Sequence, residues 1–241
     1  MASATGIPEE HPHAVEARED QPLLGKPGGA TQAEGAGIHH NLVTGSAIVA
    51  QAGIWILAAL VWSAIFSNNL IFFSAHPLLN SSAVLLQVQA ILTLQPTHTP
   101  QQKTLGTRVH FGLNVLSNLA FIAALIVIEI NKGHHKRFTS PHGVMGLITY
   151  ICIALQVLVG VVQYFFPAQI LGSVERGKKI YKYHRMSGYA LLVLELATIC
   201  AATQTTYNVV VLHIKLWAVL VASILVILGV AARIKKHKLG L

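Results

Sequence analysis

Charge is scarce in this 241-residue chain: Asp, Glu, Lys and Arg make up 11% of it, only 9 residues are acidic, and 53% are hydrophobic. An ordinary soluble domain is about a quarter charged, so this balance, with a mean hydropathy of +0.57, excludes one and points to a membrane protein. Cysteine is nearly absent. Cys152 and Cys200 cannot frame a disulfide scaffold, and both lie inside apolar runs, where a thiol packs as a small hydrophobe. Met1 to Glu10 offers neither the basic start nor the apolar stretch of a secretory signal, so the first hydrophobic run is expected to direct insertion and to stay. A pI near 9.7 would suggest nucleic acid in a soluble protein. Here the Lys and Arg residues sit in short strips between apolar runs, the pattern that orients a membrane protein, and nucleic-acid binding is discounted.

Residues 1–46 hold most of the acidic groups, much of the Pro and Gly and no apolar run, and read as a disordered tail. Six segments then approach the roughly 20 apolar residues that a bilayer-crossing helix needs: 47–66, 70–95, 107–130, 141–166, 184–205 and 212–232. The polar turn Ser67, Asn68, Asn69 separates the first two. Runs this continuously apolar are helices rather than alternating strands. The expected fold is all-α integral membrane: six transmembrane helices over 47–232, followed by a basic tail, 233–241. Six crossings put both termini on one face with 13 of the 17 basic residues, leaving only Lys132, Lys136, Arg137 and Lys215 on the other. The positive-inside rule makes the termini cytosolic.

Of 13 histidines, four sit near the ends of consecutive spans: His76, His110, His142 and His184 in spans 2 to 5. Successive helices run in opposite directions, so His76 and His142 share the outer level, and His110 and His184 share the cytosolic one. An imidazole in a low-dielectric bundle is costly unless paired or ligated, and two facing imidazoles suit one haem iron. From helix rise and bilayer thickness, two irons would lie on the order of 20 Å apart, a two-stop electron path. Gly146 on the His142 face, with Gly160 and Ala202 five turns beyond His142 and His184, could clear room for porphyrin, although small residues are common at membrane-helix interfaces anyway. Zinc is disfavoured because each pair lacks a third and fourth ligand.

These residues resemble the cytochrome b561 family in its single-domain form. The resemblance covers about 47–232 and is carried by Phe73-Ser74-Ala75-His76-Pro77, Arg108-Val109-His110, Phe138-Thr139-Ser140-Pro141-His142-Gly143 and Tyr183-His184-Arg185-Met186-Ser187-Gly188-Tyr189. It implies six helices, a four-helix core of spans 2 to 5, and two b haems with the same pairings: His76 with His142, His110 with His184. It further implies ascorbate as cytosolic donor, a monodehydroascorbate or ferric-chelate acceptor opposite, and thus an ascorbate-dependent transmembrane oxidoreductase, a ferrireductase in the second case.

By the same resemblance, the donor site draws on Lys103, Arg108, Lys178, Lys179 and Lys182, cations that would orient the ascorbate monoanion although they also serve to set topology. His134, His135 and Lys136, with Lys132, Arg137 and Phe138, crowd the loop assigned to the acceptor. Pro141 departs from relatives that often carry an aromatic residue there; Ser140 as cap with Pro141 at the first helical position would still start span 4. Glu195, alone among acidic residues deep in a span, is expected to be protonated and bonded to a neighbouring helix, or to tune redox or proton uptake. Gln87, Gln89, Asn114, Asn118, Gln156 and Gln163 read as interhelical hydrogen-bond formers.

Glu19 to Leu24 has the form of an acidic dileucine sorting signal, which favours an endosomal, vacuolar or other endomembrane address. A homodimer is a partner state the sequence allows. The competing reading is a histidine-lined proton or metal-ion transporter without haem. A third is an adaptor whose tail is the working part.

Overall fold

The computed structural model describes residues 24–239 and is helical throughout, with no strand among them. The principal helices are α1 (Ala47–Phe66), α2 (Ala75–Leu94), α3 (Pro100–Lys132), α4 (Pro141–Phe165), α5 (Val174–Ala202) and α6 (Leu216–Ala231). The first five are long and apolar enough to cross a membrane; α6 is apolar but only 16 residues long. At 1.5 Å per residue α6 reaches about 24 Å, short of a hydrocarbon core of about 30 Å. Its expected first residues leave the helix because Asn208 holds a turn: its side chain donates to the carbonyls of Thr203 and Ile214 and accepts from the Ile214 amide, with His213 left-handed at φ 56°.

Two helices start earlier than their apolar runs. Thr99 caps α3 by accepting from the Gln102 amide, with Pro100 at the first position, and Ser173 caps α5 by accepting from the Arg176 amide. The basic stretch expected as a loop before the fifth span is therefore the first three turns of α5. Lys and Arg are good helix formers, and hydropathy does not register a helix that continues into water. The Ser140 and Pro141 start of α4 is as expected: Ser140 accepts from the Gly143 amide.

The packing is uneven. α2 pairs with α3, α4 pairs with α5, and α1 pairs with α6, while the two central hairpins α2/α3 and α4/α5 make few close backbone approaches to each other. The best-packed apolar region, including Ile54, Leu57, Val84, Val88, Val219 and Val226, joins α1, α2 and α6. In α4 only 11% of the apolar window is buried against 50% for α2, so α4 turns most of its surface to lipid or to the space between the hairpins.

Part of the stretch expected as a disordered tail is packed. Asn41, fully buried in a short turn over Ile38–Leu42, donates to Gln32 and to the Thr93 carbonyl, and Gly28 donates to the Ala232 carbonyl. Arg233, 1% exposed, donates to the carbonyls of Asn41 and Leu92, sewing the segment to the ends of α2 and α6. Polar side chains that satisfy buried carbonyls do this work, so an apolar scan passes over it. The sorting stretch at residues 19–23 lies outside the described residues. Arg233→Ala is expected to cost about 2–4 kcal/mol by leaving two buried carbonyls unpaired. Amide exchange over residues 28–43 should accelerate at least tenfold while the centre of α2 keeps its protection; unchanged exchange would count against the clamp.

Candidate functional site: two levels of paired histidines

His76 and His142 face each other across the space between the hairpins, ring centres 6.3 Å apart and planes near perpendicular at 83°. Phe73 stacks on His76 at 5.6 Å, and Tyr207 stands perpendicular to Phe73 at 4.8 Å. His110 and His184, on the other level, lie within electrostatic range of each other.

Three of the four rings are oriented from within their own hairpin. The Nδ1 of His76 donates to the Ala124 carbonyl of α3 (3.0 Å), that of His110 to the Ala90 carbonyl of α2 (3.1 Å), and that of His142 to the Thr198 carbonyl of α5 (3.0 Å). A carbonyl can only accept, so Nδ1 carries the proton in all three and Nε2 keeps a free lone pair, the tautomer of a metal-ligating imidazole. His184 differs: its Nδ1 is buried without a partner, while its backbone carbonyl accepts from Gln156 of α4 at 2.7 Å.

The arrangement fits a haem. A metal held between two imidazole nitrogens at about 2.0 Å each would keep the ring centres a little over 6 Å apart, the spacing of His76 and His142. A Cβ built on Gly146, one turn below His142, meets nothing within 4 Å, whereas one on Gly160 would press on the His184 ring at 3.0 Å. Gly146 therefore borders open space at one level, and Gly160 lets α4 approach His184 at the other. Among the described residues no three of His, Cys, Asp and Glu gather into a larger ligand cluster.

The remaining polar residues divide. Gln51 and Gln89 exchange amide hydrogen bonds between α1 and α2, and Gln156 joins α4 to α5, as interhelical formers should. Asn114 and Asn118 instead donate to carbonyls of their own helix, His110 and Asn114, because a short amide reaches back four residues more easily than across to a neighbour. Gln87 and Gln163 each keep a buried carbonyl oxygen without a partner. Glu195, 3% exposed, meets Gln87, and its Oε1 also lacks a partner. Sequence reasoning missed Tyr150, whose hydroxyl donates to Asn80 at 2.9 Å, one turn from His76; a Tyr in an apolar run gives no hint of which helix its hydroxyl reaches.

The expected donor residues form two patches at the end of the bundle where the described chain begins and ends. Lys178, Lys179 and Lys182 line an open cleft of about 610 Å³ with Tyr181, Tyr183, Arg185 and Lys238, while Arg108 lines a smaller one beside Pro100 and Leu105. Lys103 is exposed, near Lys235 and Lys238. At the opposite face His134, His135 and Lys136 are all exposed in the loop after α3. Arg137 there is engaged by Glu129 at 2.8 Å, and Lys132 reaches the Lys136 carbonyl.

A helical integral-membrane protein with histidines paired across a gap between two hairpins is thus the class defined by fold and site. Residues 75–209, which contain all four histidines, match the family of eukaryotic cytochrome b561. The chain belongs to that family, as its motifs suggested, although the match stops short of α1 and α6. Membership implies haem b and an oxidoreductase of the transmembrane electron-transfer kind. No curated protein matches the chain.

Proposed function

We propose that this protein carries electrons across a membrane from cytosolic ascorbate to monodehydroascorbate or a ferric chelate on the far side, through two b haems. His76 and His142 would hold one, His110 and His184 the other, within a four-helix core of α2 to α5. The observation that carries the reading is the facing of His76 and His142 at 6.3 Å with both Nδ1 atoms engaged by carbonyls. Haem iron, when bound, takes up and passes on single electrons.

The chain's own part is binding, orientation and exclusion of water. Lys178, Lys179 and Lys182 would draw the ascorbate monoanion to the termini face, with Lys103 and Arg108 beside it, and Lys136, His134 and His135 would receive an anionic acceptor opposite. Packing of α2 to α5 would keep water from the interval between the two histidine levels, where Tyr150 and Asn80 satisfy each other. The excess of Lys and Arg supports cytosolic termini, and the length of α6 is sufficient for a sixth crossing if the bilayer thins slightly around it. An endomembrane address rests on the dileucine form alone, and a homodimer is compatible with the lipid-facing surface.

The test is a reduced-minus-oxidised spectrum of purified protein, with ascorbate and then dithionite as reductant, and a haem-to-protein ratio. Two b-type haems per chain, largely reduced by ascorbate, are the expected result. Haem reduced only by dithionite would remove ascorbate as donor, and colourless protein after haem-replete expression would overturn the reading.

A further inference from the structure

One member of the cationic cleft comes from the far end of the chain. Lys238, in the last turn (Lys236–Lys238), lines the cleft with Lys178, Lys179, Lys182 and Arg185. It is held there from two sides: Arg185 donates to its carbonyl at 2.6 Å, and its own Nζ donates to the Thr97 carbonyl beyond α2 at 3.3 Å. The turn is tethered further back by Arg233 on the Asn41 and Leu92 carbonyls. Among the described residues no carboxylate lines the cleft. Half-burial, and then the positive charges of Lys235 in the same tail, Arg185 of α5 and Lys103 of α3, push the Lys238 ammonium down to about 8. Among the described residues this half-buried cation, set near three others, has one partner, a neutral carbonyl, and two N–H groups left to donate.

We propose that Lys238 is an anion-contacting residue of this cleft, and that the C-terminal turn is a fixed wall of the site rather than a topogenic tail. The ligand class is a small hydroxylated monoanion: the ammonium and guanidinium groups match its charge, and the Tyr181 and Tyr183 hydroxyls its hydroxyl groups. That the anion is ascorbate rests on the function proposed above. Only the ammonium form of Lys238 attracts an anion, so affinity falls as pH rises through about 8, and a bound anion moves that value upward.

Limited acetylation of the full-length, haem-replete protein in nanodiscs, read by mass spectrometry, tests this without relying on electron transfer. Lys238 should react faster than Lys215, and millimolar ascorbate should slow its labelling at least threefold. Lys238→Gln should raise the ascorbate concentration for half-maximal haem reduction on the order of fivefold and flatten its rise above pH 8, with the saturating rate little changed and Lys238→Arg restoring affinity. Ascorbate protection of Lys178, Lys179 and Lys182 but not Lys238 would overturn the role of the turn and leave the donor site standing. Protection of Lys238 by inorganic phosphate but not ascorbate, with haem left oxidised, would keep the anion site and overturn the donor. Protection by neither would overturn the anion site.

Discussion

If the proposed function holds, His184→Ala is expected to yield protein with one haem per chain where the unaltered protein carries two, losing the ascorbate-reducible signal of the inner centre while the outer one persists. His184 is the ring of the four whose Nδ1 has no partner, so no hydrogen bond among the described residues fixes its tautomer. Its opposite number, His110, would be left as a single imidazole, and an iron with one protein ligand on an open site exchanges readily. The outer pair should survive because its anchors, Ala124 and Thr198, are carbonyls of α3 and of the far end of α5. His110→Ala should match His184→Ala, and His76→Ala should give the complementary spectrum. Two haems remaining after either inner replacement would sink the ligand assignment.

Gly229→Leu should cost the fold at least about 3 kcal/mol, enough to lower the unfolding midpoint in detergent by several degrees. Even a Cβ at Gly229 would collide with the Ala50 backbone nitrogen, and one at Gly53 would come within 2.5 Å of the Ala222 carbonyl oxygen. Ser46 donates to the Gly229 carbonyl at 2.9 Å in the same seam. Small residues allow α1 and α6 to touch backbone to backbone, where membrane helices gain most from packing and little from hydrophobicity. Leu228→Ala, one residue away on a face that is 57% exposed, should shift stability by only about 0.5 kcal/mol. Equal losses from both would argue that α6 is not seated on α1.

The histidine levels were legible from sequence because they need only helix direction and residue counting, which hydropathy supplies. Rotation about each helix axis was not. Whether Asn118 bonds a neighbour or its own helix, and whether Tyr150 finds Asn80, depends on azimuth and on which helix lies opposite. The helical start of α5 was hidden because a water-exposed basic helix has the hydropathy of a loop, even though Ser173 as cap could have marked it. Arg233 and Lys238 read as tail charges fixing orientation; nothing local reveals that their partners are carbonyls at Leu92 and Thr97, roughly 140 residues earlier.

The hairpin organisation bears on biogenesis. Three of the four rings take their orientation inside one hairpin, and each histidine faces its opposite number in the other, so α2/α3 contributes half of both pairs and α4/α5 the complementary halves. A nascent chain with only its first three spans inserted contains no complete pair at either level. Both pairs close in one event, when α4 and α5 dock, and an acquired prosthetic group would then act as a quality mark: a molecule that carries it has finished assembling, and a truncated or misdocked one cannot carry it at all.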